Sequence, residues 1–315
     1  MLPGRRTGPG GGVRRPDFFI VGAPKCGTTA LSEYLRGHPA VFMSTPKEPH
    51  YFCDDFDYYY RPGERTLDHY LRLYDAAGDE HTAVGEASVW YLYSSRAAPA
   101  ILEFDPAARI VAMVRNPVEM VPSLHSQMRY AGDEDVPDLE AAWRLQGARA
   151  AGAAIPAGCR VPAFLQYGDA CRLGAQIERL QSVVPRGQLM VIVLDDMRRD
   201  PRTTYTRVLE FLGVPDDGRS EFPRVNANKV HRTGAVARFT QRPPRALVKV
   251  AAHTKRIARV ERLGVLQRIR DRNRSVEERP PPRPEFLDEL RAYFADDVAL
   301  LGRRIDRDLS GWTDA

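Results

Sequence analysis

Apolar and polar positions along this chain fall into two kinds of block. Short unbroken apolar runs, "FFIV" at Phe18–Val21, "RIVAMV" at Arg109–Val114 and "QLMVIVL" at Gln188–Leu194, have the length and β-branched content of buried parallel strands. Elsewhere apolar residues recur at three- and four-residue spacing. In "TALSEYLRG", Leu31, Tyr34 and Leu35 share one helical face, Thr28 or Thr29 is available as the cap, and Gly37 and Pro39 end the helix. The same periodicity predicts helices at Val118–Tyr130, in a long stretch ending "ACRLGAQIERLQSVV", in "PRTTYTRVLEFLG" up to Gly213, and in "EFLDELRAYFADDVALLGRRI". Strands alternating with helices predict an α/β fold with a central parallel sheet flanked by helices.

Composition changes this picture little. With 315 residues, 43% of them hydrophobic, the chain can bury one large core, here taken as residues 17–315. No apolar run approaches the ~20 residues of a membrane span. The start, "MLPGRRTGPGGGVRRP", has two arginine pairs and no apolar stretch after them, which predicts a flexible basic tail over 1–16 rather than a secretory signal. Cys26, Cys53, Cys159 and Cys171 have no C-x-x-C spacing, which argues against a zinc site or redox pair and fits a reduced, cytoplasmic setting.

Charge is more informative. The net charge of +5 is unevenly spread: residues 235–280 carry 13 Lys/Arg against 4 Asp/Glu. Leu247, Val250, Ile257, Val260, Leu263, Leu266 and Ile269 recur there at helical spacing, and "RPPPRP" ends the segment. A basic helix of this kind has two readings, a lid over an active site or a contact with an anionic membrane surface or acidic partner. Aromatics are not interleaved with the charges, so nucleic acid is not expected as a partner.

The chemistry starts at "FFIVGAPKCGTTALSEYL". An apolar run, a glycine turn and a helix form an anion-binding device: turn and helix N–H groups face the anion, and the helix dipole favours negative charge. Gly22 and Gly27 have the spacing of the G-x-x-x-x-G-K-[ST] loop, but Thr28 stands where an ATPase has lysine, and Lys25 lies inside the turn. A lysine there serves a shorter anion, with one phosphate in the nest, close to the bond that breaks. Thr28 and Thr29 add hydroxyl donors.

"GAPKCGTTAL" resembles the 5′-phosphosulfate loop of sulfotransferases that use 3′-phosphoadenosine 5′-phosphosulfate (PAPS). "RIVAMVRNPVEMVPS" is similar to that family's 3′-phosphate site, with Arg115, Asn116, Pro117 and Ser123 at the matching positions. A guanidinium grips phosphate in a two-pronged way, and a serine about two helical turns on can add a hydroxyl. "STPKEPHYF" resembles the bacterial and carbohydrate-type branch, related to heparan sulfate sulfotransferase domains, in which a Glu followed by x-His-aromatic supplies the base. "GEASVWYLYS" resembles its acceptor-side segment, though Val89 stands where proline is usual. "VIVLDDMRRDPRTTYTRVLEFLGV" and "FPRVNANKVHRTG" resemble the later strand–helix and third nucleotide loop. The resemblance covers about Phe18 to Asn228 and resumes in the C-terminal helix.

It implies a P-loop-like three-layer fold and in-line sulfuryl transfer from PAPS to a carbohydrate or small-molecule hydroxyl, without a metal. Lys25, Glu48 and His50 are then the candidate catalytic residues. Glu48 is the base, its pKa raised by partial burial beside Pro49 and the aromatics, and His50 orients Glu48 or the acceptor. Gly22, Lys25, Cys26, Gly27, Thr28, Thr29, Arg115, Ser123 and Arg232 are the candidate nucleotide contacts. Glu86 and Ser88 are placed towards the acceptor, with a purely structural role as the alternative, and Lys47 is read as a surface charge in preference to a second cation near the sulfuryl group. Two rivals remain: a P-loop NTPase with Asp195 and Asp196 as Walker-B-like acids, and a docking module without activity.

Overall fold

The computed structural model describes residues 14–56, 65–223, 229–231, 274–276 and 281–314. Arg232 and nearly all of the basic segment 235–280 lie outside the described residues. Within the span read as one domain there are two compact units, one of residues 1–121, 168–225 and 284–315, the other of 122–167 and 226–283.

The first unit holds a five-stranded parallel sheet in the order β2-β3-β1-β4-β5. The strands are β1 Phe18–Gly22, β2 Val41–Met43, β3 Ala83–Ala87, β4 Arg109–Val114 and β5 Leu189–Val193. The three predicted runs became β1, β4 and β5, whereas β2 and β3 carry no strand signature in the sequence. β1 is fully buried between β3 and β4, with Phe18 opposite Gly85 on one side and Arg109 on the other. With the flanking helices this is a three-layer α/β fold.

The connecting helices are α1 Thr28–Arg36, α2 Leu67–Leu71, α3 Ala97–Phe104 and α4 Pro117–Ala131. The predicted long helix is broken at Arg172 into Tyr167–Cys171 and Leu173–Val183. Leu173–Val183 packs on the C-terminal helix Pro284–Ile305, where Asp297 accepts the Gly174 and Ala175 N–H groups at 2.8 and 2.9 Å. Pro201–Leu212 is capped by Asp200, whose carboxylate accepts the Thr203 N–H, and is closed by a left-handed Gly213.

In the second unit a buried ion pair braces the chain after α4. Arg149 donates two hydrogen bonds to Glu134, at 2.7 and 2.9 Å, and Tyr167 donates a third at 2.7 Å. The unit also contains the antiparallel pair β6 Lys229–His231 and β7 Arg274–Val276.

Parallel strands end at the same edge of a sheet. The loops after β1, β2, β3 and β4 therefore converge, although their motifs are up to 90 residues apart. β1 is followed by β2 two places away, β3 fills the gap, and β4 crosses to the other side of β1. That reversal beside β1 is a switch point, where open α/β sheets bind ligands.

Candidate active site

The loop after β1 is shaped by its backbone. Gly22 has φ 136°, and a Cβ there would lie 2.3 Å from the Val89 carbonyl oxygen, so only glycine fits. Gly27, in the left-handed region, is the N-cap of α1, and no side chain caps the helix. This corrects the expectation that Thr28 or Thr29 caps it. Thr28 is instead buried as the first helical residue, Thr29 is half-buried, and the first turn contains no acid. The uncapped N-terminus keeps the free N–H groups and positive dipole end that an anion needs.

Cys26 is fully buried; its N–H closes the turn onto the Ala23 carbonyl, and burial pushes its thiol up to about 12, with Arg115 acting in the other direction. Its place in the loop is a packing position. Lys25 has φ 65° and its carbonyl accepts a 3.2 Å hydrogen bond from Arg115 Nη1.

Arg115 follows β4, and its side chain is mostly covered. Its Nε and Nη2 both reach Glu119 Oε2, at 3.1 and 2.7 Å, and Arg198 Nη1 reaches the same oxygen at 3.3 Å. Two guanidinium groups sharing one carboxylate oxygen form a cationic site whose resident anion is Glu119. The sequence reading missed Glu119 and Arg198. The i,i+4 spacing of Arg115 and Glu119 was a signal for the first; nothing local pointed to the second. Asn116 Oδ1 accepts the Val118 N–H at 2.9 Å and starts α4. Ser123 is buried on α4, eight residues after Arg115, in the second unit.

The loop after β2 carries the KEPHYF motif. Glu48 and His50 have φ of 65° and 51°. With Lys25, they are three of the five non-glycine residues with positive φ among those described, and strained backbone of this kind concentrates at working sites. Glu48 Oε1 lies 2.7 Å from Lys47 Nζ, and Oε2 lies 3.5 Å from Nε2 of the buried His50. Burial pulls the Glu48 carboxyl up, but the His50 and Lys47 contacts outweigh it and hold the group down, to about 2. This reverses the expected shift. Lys47 is corrected too: its side chain is only 16% exposed and belongs to the site. Burial lowers His50 more than Glu48 raises it, so the imidazole favours its neutral form.

The segment after β3 ties the two loops together. Ser88 and Leu92 donate their N–H groups to the carbonyls of Ile20 and Val21, at 3.0 and 2.7 Å. In turn, Glu48 N–H donates to the Ala87 carbonyl at 3.0 Å, His50 N–H to Ser88 Oγ at 3.1 Å, and Phe52 N–H to the Tyr91 hydroxyl at 3.2 Å. Glu86 and Ser88 themselves are fully buried. They stand behind the Glu48–His50 loop and present no surface to an acceptor, contrary to their expected placement. Asp195 and Asp196 do not form a Walker-B pair at a strand tip: they lie in the helix Leu194–Arg199, and Asp195 pairs with Arg198 while Asp196 pairs with Arg199 and Arg307.

A phosphate-type loop at the switch point of a parallel sheet, with Arg115 bonded to it, defines a P-loop-like fold. Residues 15–230 match the family model described as Sulfotransferase domain, and the chain belongs to that family. The solved sulfotransferase from Alicyclobacillus acidocaldarius superposes with a TM-score of 0.70 at 27% identity, covering 96% of this chain and 100% of that one. The human bifunctional heparan sulfate N-deacetylase/N-sulfotransferase 3 is 28% identical over 208 residues, 64% of this chain and 22% of that protein. Rat carbohydrate sulfotransferase 15 is 35% identical over 143 residues, 33% of this chain and 26% of that protein. The chain thus matches about a quarter or less of the length of these curated relatives.

Proposed function

We propose that this sulfotransferase takes its sulfuryl group from PAPS and passes it to a hydroxyl of a carbohydrate or a glycosylated small molecule. The observation that carries this reading is the Arg115–Lys25 hydrogen bond, which joins the 5′-side loop to the 3′-side arginine. One donor molecule with a 5′-phosphosulfate and a 3′-phosphate fits both. Gly22, Gly27, Thr28 and Thr29 line the 5′ end, and Arg115 and Arg198 offer the cationic site for the 3′-phosphate once Glu119 gives way. Ser123 and Arg232 are assigned to the same nucleotide by the motif match.

In the transfer step the acceptor oxygen bonds to sulfur, the sulfur–oxygen bond to the 5′-phosphate breaks, and the electron pair leaves on that phosphate. Lys25 neutralises the leaving oxygen. The acceptor proton goes to Glu48. A carboxylate held near 2 is a weak base towards a resting hydroxyl. Proton transfer is therefore late, when the forming bond to sulfur has made the acceptor proton strongly acidic.

Calorimetric titration with 3′-phosphoadenosine 5′-phosphate, without added magnesium, and transfer of label from PAPS to a panel of unsulfated oligosaccharides test the reading. Magnesium-dependent ATP binding with no affinity for the bisphosphate would overturn it. Glu48→Gln should abolish transfer and leave bisphosphate binding intact; full activity in that variant removes the base assignment.

Lys47→Met makes a pH prediction. Glu48 acts ionised, so its contribution is present above its pKa and lost as pH falls through it. Removing the Lys47 charge moves that pKa up by about 1 unit or more. The acid-side downturn in kcat/KM should then come at a pH about 1 unit higher in the variant than in the wild type.

A further inference from the structure

The Glu48–His50 loop has an anchor that the transfer chemistry does not use. Three alternate N–H groups, from Glu48, His50 and Phe52, are received by the segment after β3, and two of their acceptors are hydroxyls, Ser88 Oγ and Tyr91 Oη. A hydroxyl that accepts from an amide still has its own proton to place. Both protons point to one group. Ser88 Oγ lies 3.5 Å from Glu86 Oε2, and the hydroxyls of Tyr91 and Tyr70 are the other hydrogen-bonding groups around that carboxyl. Tyr70 in turn receives the Tyr74 hydroxyl at 3.0 Å. Glu86 is 0% exposed, and its Oε1 is buried without a hydrogen-bond partner.

We propose that Glu86 is a positioning residue for sulfuryl transfer: as a neutral carboxylic acid it orients the Ser88 and Tyr91 hydroxyls, and through them holds the His50 and Phe52 amides and the left-handed backbone of Glu48 and His50. The inference rests on the proposed role of that loop and adds its support. Left-handed backbone at a non-glycine residue is strained, so the loop keeps this shape only while outside bonds enforce it.

A buried carboxyl with one orphaned oxygen and no cation beside it favours the uncharged form. Burial drives Glu86 up to about 8, against the three hydroxyls. The titratable groups facing it are Tyr70 from α2, Tyr91 and Cys53, each raised by its own burial, so Glu86 is the member of this cluster that ionises first on the alkaline side.

Amide hydrogen exchange reads this directly and needs no acceptor. In the wild type the His50 and Phe52 amides should be protected at neutral pH. In Glu86→Gln, which keeps a neutral acceptor of the same shape, protection should match the wild type. In Glu86→Ala it should drop at every pH, with the bisphosphate affinity within about twofold of wild type because the Gly22–Gly27 loop is intact. Ser88→Ala, a smaller change that guards against misfolding of the alanine variant, should expose His50 and spare Phe52. Label transfer from PAPS should follow the same ranking. Unchanged protection in both Ser88→Ala and Glu86→Ala would overturn the proposal. Failure of the bisphosphate to bind the wild type would instead overturn the donor assignment, leaving the exchange result standing.

Discussion

Lys25→Ala should lower sulfuryl transfer by about 10²–10³-fold, the usual cost of removing one group aimed at charge that develops in the transition state. In a sulfuryl transfer the leaving 5′-phosphate gains charge as the sulfur–oxygen bond lengthens. Lys25 is inside the turn rather than at the start of α1, so its ammonium belongs beside that oxygen. The position is held at φ 65°, and the Arg115 guanidinium binds its carbonyl, so the loop has been shaped around this residue. Affinity for the product bisphosphate should change much less than turnover, since the backbone nest and Arg115 remain. Radiolabel transfer for turnover and calorimetry for affinity separate the two quantities. Equal losses in both would make Lys25 a binding residue only.

The second large effect is expected at the other end of the nucleotide. Arg115→Ala should weaken 3′-phosphoadenosine 5′-phosphate binding by about 2 to 4 kcal/mol, roughly 30- to 1000-fold, as truncation of a covered, charge-assisted contact does. Adenosine 5′-phosphosulfate lacks the 3′-phosphate, and its affinity should change little. Arg115→Lys restores the charge but not the fork, and should recover only part of the loss. If both nucleotides weaken together, Arg115 acts by holding the Lys25 carbonyl and not by gripping the 3′-phosphate. Glu119 gives a counterpart. It shares one oxygen between Arg115 and Arg198, and those two cations hold its carboxyl below the ordinary range against the pull of burial. On the proposed donor assignment, nucleotide binding there displaces a charged carboxylate.

Much of the site was legible because its motifs are local. Strand, glycine turn and helix lie within 18 residues, and β4 with Arg115 is equally contiguous. β3 was not legible. "AVGEA" has a glycine and a glutamate in its middle, both poor strand formers. Gly85 is there because the Phe18 ring of the neighbouring strand lies 2.5 Å from where a Cβ would be, and Glu86 because the hydroxyls of Ser88, Tyr91 and Tyr70 surround it. β2 is three residues long, too short for periodicity to register. The helix cap failed for a related reason: Thr28 and Thr29 are good caps in isolation, but left-handed Gly27 takes the cap position and draws Thr28 into the helix.

Taken alone, the sequence determined the class of fold and the glycine turn with its displaced lysine, which rest on the order of neighbours along the chain that periodicity and motif spacing report. The pairing of that turn with Arg115 was implied by the resemblance of both motifs to one family. Only the tertiary structure decided the ionisation of the catalytic loop and what supports it. Lys47 reads as a surface charge and Glu48 as a carboxyl raised by burial, yet folding brings Lys47, Glu48 and His50 into one contact set that lowers Glu48. Glu86 and Ser88 read as acceptor-facing, yet a parallel sheet with loops on both sides buries them. A pKa and a hydrogen bond depend on which groups are brought close and how much water is left between them. Those distances are set by strand order and packing, and no short stretch of sequence contains them.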